Sequence, residues 1–287
     1  MIKTNLVSLT LILIIGLSIK PAFCESGVDF KQKLKTLKWV AYAPSDFNPL
    51  KNHYPSEDSI REDLALLREY GFEGIVTYGS NRILGEIPRI AREEGFKGVI
   101  MGIWSIDNRE ETMNAVAAAK YVDGYCVGNE GLNSSYNLDS LTQAMSEMKE
   151  STGKPVATTE QIYDYSDDSI LALGDWVFPN IHPFLSGVKD PKEAVAWIEK
   201  KYKSLQNRCP EGRIILIKEA GVPTAGADKA TESNQKDFFD ILEKTDMFFV
   251  YFEAFDQNWK RHLPVEPYWG LFDDQRKPKK YISSKVK

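Results

Sequence analysis

Two apolar runs in this chain end in a glutamate. Tyr125-Cys126-Val127-Gly128-Asn129-Glu130 stops at Gly131 and Asn133, and Ile214-Ile215-Leu216-Ile217-Lys218-Glu219 stops at Ala220-Gly221. Each reads as a buried strand that delivers a carboxyl at its end, the first with an amide beside it. Two carboxyls aimed at one place suit cleavage of a glycosidic bond. One protonates the leaving oxygen, while the other attacks the anomeric carbon or activates water. A separation of about 5–5.5 Å would make the reaction retaining, with Glu130 as acid/base and Glu219 as ionised nucleophile. Glu130 must then hold its proton near neutral pH, which partial desolvation and a second carboxylate nearby favour.

Elements that could position such a pair recur along the chain. Trp39–Ala43 reads as a first strand, and Ser56 as the N-cap of a helix whose apolar face is Ile60, Leu64 and Leu67. Arg68-Glu69-Tyr70-Gly71-Phe72-Glu73-Gly74-Ile75-Val76 is then echoed by Arg92-Glu93-Glu94-Gly95-Phe96-Lys97-Gly98-Val99-Ile100. That spacing, about 24 residues, is the length of one strand-plus-helix unit with its loops. Further strands are predicted at 74–78, 98–104, 124–129, 156–160, 176–181, 214–218 and 248–255. Helices are predicted at 84–94, 109–120, 138–150, near Ser169, 191–205 and 233–244.

Short apolar strands alternating with amphipathic helices require parallel pairing with helical crossovers. Eight such units predict a single-domain (β/α)8 TIM barrel over residues 25–287, its last helix short or replaced by the loop of residues 259–278. An open doubly wound sheet is the alternative, but no glycine-rich phosphate loop accompanies it.

In such a barrel the strand ends line one mouth. They would deliver Tyr42, Ser45 and Asp46, then Tyr78 and Asn81, then Trp104, then Asn129 and Glu130. Glu160 and Tyr163, His182 and Phe184, Glu219, and Glu253, Asp256, Gln257 and Trp259 follow. Aromatic faces stack on sugar rings, and carboxylates and amides bond the hydroxyls. Several of these residues have a plainer role open to them. Glu160 contacts substrate or braces a neighbouring strand end. Glu253 lies mid-strand, where positioning the nucleophile or a lysine competes with direct sugar contact. His182 contacts substrate or is a satisfied strand-end histidine, and Trp104 stacks on sugar or packs in the core. Trp39, Trp176 and Trp197 read as core.

The 287 residues are 43% hydrophobic and 27% charged, a soluble globular composition. Residues 1–24 have the layout of a secretory signal peptide: Lys3, an apolar run from Leu6 to Ile19, then Pro21-Ala22-Phe23-Cys24. Cleavage is expected after Cys24 or Ala22, and export with it. An uncleaved anchor and a lipid on Cys24 are the other readings of this stretch, and no later segment reads as a membrane span. Without the leader, lysine plus arginine falls from 36 to 34 against 41 acids, and the net charge goes from −5 to −7. An acidic chain with no basic block argues against a nucleic-acid partner and suits a neutral substrate. Cys126 and Cys209 are expected to be free thiols. No Cys/His spacing reads as a metal site, and the chemistry calls for no cofactor.

Gly128-Asn129-Glu130, Lys218-Glu219-Ala220-Gly221-Val222-Pro223-Thr224, Phe252-Glu253-Ala254-Phe255-Asp256-Gln257-Asn258-Trp259-Lys260 and Tyr268-Trp269-Gly270-Leu271-Phe272, taken in order, resemble glycoside hydrolase family 17. The resemblance runs from about Trp39 to Tyr281. It implies a (β/α)8 barrel and a retaining enzyme acting on β-1,3-glucan or a related oligosaccharide. It further implies that Glu130 is the proton donor, Asn129 a ligand of the 2-hydroxyl and Glu219 the nucleophile. Tyr78 would stand near the nucleophile, with Trp259 and Lys260 in the cleft. Two departures bear on linkage and subsite preference: Val222-Pro223-Thr224 stands where the family usually has Trp-Pro-Ser, and Gln257 where some members have glutamate. A β-glucosyltransferase using the same site and a non-catalytic carbohydrate-binding barrel are the competing readings.

Overall fold

The computed structural model describes residues 26–132 and 134–285. The predicted signal peptide and Asn133 lie outside the described residues. Eight strands are present among them: β1 (Trp39–Ala41), β2 (Gly74–Val76), β3 (Gly98–Ile103), β4 (Gly124–Asn129), β5 (Val156–Thr159), β6 (Asn180–Ile181), β7 (Ile217–Ala220) and β8 (Phe249–Tyr251). All pair in parallel in the order β5-β4-β3-β2-β1-β8-β7-β6. The ring closes between β5 and β6 through a bridge of Gln161 with Asn180. There the Ile162 N–H donates to Asn180 O, and the Asn180 N–H to Glu160 O, each at 3.0 Å. The chain is therefore the expected (β/α)8 barrel.

The strands are shorter than the apolar runs suggest. Pro179 interrupts the sixth run because it has no N–H to give. Pairing resumes on either side of it, with the Val177 N–H donating to Ile214 O and the Lys218 N–H to Pro179 O, both at 2.9 Å.

Helices α2 (Glu57–Glu69), α3 (Ile87–Glu93), α4 (Arg109–Ala117), α5 (Leu138–Thr152), α6 (Asp168–Leu171), α7 (Pro191–Arg208) and α8 (Glu232–Leu242) follow their strands in turn. After β8 the chain is irregular apart from a short 3-10 turn, until a single helical turn, α9 (Lys280–Ser283), as the loop reading anticipated. Ser56 caps α2 by accepting the Ser59 N–H at 3.1 Å.

The sequence repeat is a structural unit. Arg68 donates to Phe72 O, and Arg92 to Phe96 O at 3.1 Å, so each arginine ties a helix end to the turn before its strand. The second glycine of each copy has a packing reason. A side chain on Gly74 or Gly98 would run into the Trp39 ring, which lies beneath β2 and β3 at the floor of the barrel.

One helix escaped the sequence reading. No helix is predicted ahead of the first strand, yet α1 (Ser26–Thr36) forms there and covers the barrel floor with Phe30 and Leu34, both buried. The Phe30 ring meets Trp176 edge-on, 5.0 Å between centroids. Trp39 and Trp176 are core residues as expected. Trp197 is only half-buried on α7, with the Lys201 ammonium 5.2 Å from its ring. Cys126 and Cys209 are both free. Among the described residues no helix is long and apolar enough to cross a membrane.

Candidate active site

Glu130 and Glu219 open onto the same mouth. One carboxylate oxygen of each, together with a ring nitrogen of His182, lies within 4.8 Å of the others. Local irregularities of the ring aim these side chains. Successive residues of a regular strand point to opposite faces. In β7, however, both Lys218 and Glu219 turn inward, and the register of β7 against β8 shifts between Ile217 and Ala220. The register of β4 against β5 likewise shifts between Cys126 and Asn129, where Gly128 has φ of +79° and Glu130 of +49°. Bulges of this kind re-aim side chains next to functional sites.

Each carboxylate is held by neighbours. Glu219 Oε1 accepts from Lys218 Nζ at 2.8 Å, and Oε2 stands 3.0 Å from His182 Nε2. Burial alone would raise the Glu219 carboxyl. The Lys218 ammonium and the His182 ring outweigh it and hold the group well below the ordinary carboxylate range. Glu130 Oε1 accepts from Asn180 Nδ2 at 2.7 Å, and Oε2 from Gln161 Nε2 at 3.4 Å. The two glutamates thus sit in unlike surroundings: Glu219 faces a buried cation, whereas Glu130 faces neutral amides and is partly open to solvent.

Lys218 also donates to Asn129 Oδ1 at 2.6 Å. An ammonium can only donate, so the oxygen of Asn129 must face it and the amide N–H2 points the other way. Tyr78 lies against the same cation, its ring centroid 4.3 Å from Lys218 Nζ. Burial and the negative charge of Glu219 push the Tyr78 phenol well above its ordinary range. Trp104 stands at the rim, 52% exposed, 6.4 Å from the Tyr78 ring. By distance Glu130, His182 and Glu219 could hold a metal ion, but Lys218 and His182 already engage both oxygens of Glu219.

Several residues predicted to bind substrate have other partners. Tyr42 is 1% exposed and donates its hydroxyl to Asp63 Oδ2 at 3.0 Å; Asp63, on α2, also gathers Ser45 and Arg276. Tyr42 therefore belongs to the packing behind β1. Glu160 is buried and accepts from the Tyr136 hydroxyl at 2.8 Å, which in turn accepts the Gly131 N–H at 3.0 Å. Side chains on Gly128 or Gly131 would strike Tyr136, so those glycines let the loop after β4 close over it. Glu160 is the brace under that loop, and burial pushes its carboxyl up to about 7. Glu253, also buried, accepts from Lys260 Nζ with both oxygens, at 2.9 and 3.0 Å. Burial still raises it to about 7 against the lysine's pull. Lys260 is thereby committed to Glu253. Trp259 is half-buried, donates its indole N–H to Gln257 Oε1 at 2.7 Å and meets the Phe47 ring edge-on, 6.4 Å between centroids.

The sequence reading did not single out Lys218 or Asn180 as site residues. Lys218 lies inside a motif, but regular alternation with an inward Glu219 would put it on the opposite face of the strand. Asn180 is a polar residue inside the otherwise apolar run at 176–181, and that was its available signal.

The sequence model of the BtgE/BtgC glycoside hydrolase domain matches residues 40–270. Over 241 residues the chain is 29% identical to a probable beta-glucosidase btgE of Aspergillus flavus, covering 76% of this chain and 40% of that protein. It is 25% identical over 279 residues to a probable glucan endo-1,3-beta-glucosidase btgC of the same fungus, covering 78% and 40%. The chain thus spans about 40% of the length of these curated relatives. Among solved structures, the endo-laminarinase from Formosa Hel1_33_131 superposes with a TM-score of 0.72 at 17% identity, covering 86% of each chain, and so shares the fold.

Proposed function

The chain belongs to the BtgE/BtgC glycoside hydrolase domain family, and from that premise we propose that it is a retaining glycosidase that cleaves β-1,3-glucosidic bonds. The observation that carries this reading is the approach of a Glu130 and a Glu219 carboxylate oxygen to within 4.8 Å. It suits direct attack by one carboxylate better than the wider gap of about 6.5–9.5 Å that leaves room for a water. The resemblance to glycoside hydrolase family 17 and the btgC relative's name point to the same linkage.

In this mechanism ionised Glu219 attacks the anomeric carbon while protonated Glu130 gives its proton to the departing glycosidic oxygen. A covalent glycosyl ester on Glu219 results. Glu130, now a carboxylate, takes a proton from water as that water attacks the same carbon, and Glu219 leaves as the carboxylate. Lys218 and His182 keep Glu219 ionised and aligned, which favours its role as nucleophile over that of acid. The Asn129 amide supplies a donor for the 2-hydroxyl, and Trp104 a stacking face at the rim. The leader-like layout of residues 1–24 supports an exported activity.

A reducing-sugar assay on β-1,3, β-1,4 and β-1,6 glucans tests the proposal. Laminarin is expected to be cut and the others spared, and Glu219→Gln is expected to abolish turnover with the fold intact. Wild-type-like activity in that variant would exclude the assignment.

A further inference from the structure

A lysine with 1% of its surface exposed is costly unless its charge is matched, because desolvating an unpaired ammonium costs several kcal/mol or more. Lys218 meets that condition on three sides. Its Nζ gives one bond to Asn129 on β4 at 2.6 Å and one to Glu219 on β7 at 2.8 Å, and it rests on the Tyr78 ring next to β2 at 4.3 Å. Three strand ends separated around the ring therefore meet on one cation.

The charges around it are lopsided. Glu130 and Cys126 face this region from β4, Glu160 from β5, His182 from behind β6 and Glu253 from β8. Lys260 is taken by both oxygens of Glu253, and Lys279 by Asp256. Lys218 is thus the cation that answers the charge of Glu219. Resting on the function proposed above, we infer that Lys218 is a positioning residue of this site, one ammonium that holds the Glu219 carboxylate ready for attack and turns the Asn129 amide toward the sugar. Its hydrogen bonds go to Asn129 and Glu219. Its effect passes through the two residues it holds.

The test compares the wild-type chain with Lys218→Met, which keeps the apolar stem and removes the charge, and with Lys218→Arg, which keeps the charge. The Glu219 carboxyl is followed by 13C NMR against pH, its signal assigned by loss in Glu219→Gln. In the wild type it is expected to stay ionised to well below pH 4. In Lys218→Met its titration is expected to rise by about one to three pH units, and in Lys218→Arg to stay near the wild type. The acid limb of kcat/KM on laminarin should move with it in Lys218→Met, a change that a lysine serving packing alone would not cause.

Titration of Glu219 at the same pH in the wild type and Lys218→Met would overturn the inference. Should Lys218→Met not fold, the wild type decides, since titration of its Glu219 at the ordinary carboxylate pH would overturn it as well. A wild type that cuts no glucan would remove the proposed function, while the NMR titration would still decide the role of Lys218.

Discussion

Asn180 Nδ2 donates to Glu130 Oε1 at 2.7 Å while Asn180 Oδ1 accepts from the Thr159 hydroxyl at 3.0 Å. A residue of β6 thereby fixes the carboxyl at the end of β4, across the junction where the ring closes by a single bridge. Asn180→Ala is expected to lower kcat on laminarin about 10–100-fold by releasing the Glu130 carboxyl, with KM changed less than about threefold. Steady-state kinetics beside a circular dichroism spectrum checks this, and an unchanged kcat would contradict it.

Trp104 is 52% exposed and lies beside Tyr78 at the mouth. A large apolar face left in water costs the fold nothing to lose but offers a sugar ring a surface. Trp104→Ala is expected to raise KM several-fold on laminarin and to leave the unfolding free energy within about 0.5 kcal/mol. A loss of stability without a change in KM would place the residue in packing instead.

The Trp39 ring fills the space beneath β2 and β3 that Gly74 and Gly98 leave open. Gly74→Ala and Gly98→Ala each force the ring or the strand to move. Each is expected to cost about 1–3 kcal/mol in urea denaturation, as overpacking in a close-packed core does. The site lies at the far end of the strands, so kcat of the folded fraction should be unchanged.

Buried carboxyls give the fold a pH dependence whose sign is opposite to that of ordinary salt-bridged acids. Burial raises Glu160 and Glu253 to about 7 from 4.5, and Asp256 to about 6 from 3.8. The folded chain therefore holds protons that the unfolded chain releases. Their stabilising effect is full below the unfolded values and lost as the pH rises through the folded ones. Glu219, held low, acts the other way, but only as the pH falls below 4.5. The unfolding free energy is expected to fall between pH 4.5 and 7, and Glu160→Gln to remove about 2 kcal/mol of that fall. Urea melts at the two ends of the window check it. A wild type more stable at pH 7 than at pH 4.5 would contradict it.

The barrel and its carboxylate pair were legible in the sequence because both leave strong local marks. Apolar runs end abruptly in Glu130 and Glu219, and the Arg68–Val76 and Arg92–Ile100 copies announce a repeating strand-and-helix unit. What stayed hidden depends on departures from regular geometry or on partners distant in sequence. Lys218 turns inward only because the β7 register shifts beside it, and no periodicity foretells a bulge. Tyr42 and Glu160 end strands as site residues do, yet Asp63 and Tyr136, contributed by other segments, claim their polar atoms. Helix α1 has Phe30 and Leu34 as its buried apolar anchors, too sparse a stripe to stand out.

The anomeric form of the first product tests the proposed double displacement most directly. Proton NMR of laminarin hydrolysis in its first minutes is expected to show the β-anomer of the new reducing end, with the α-anomer growing later by mutarotation. Appearance of the α-anomer first would mean a single inverting displacement and would remove Glu219 from the role of nucleophile.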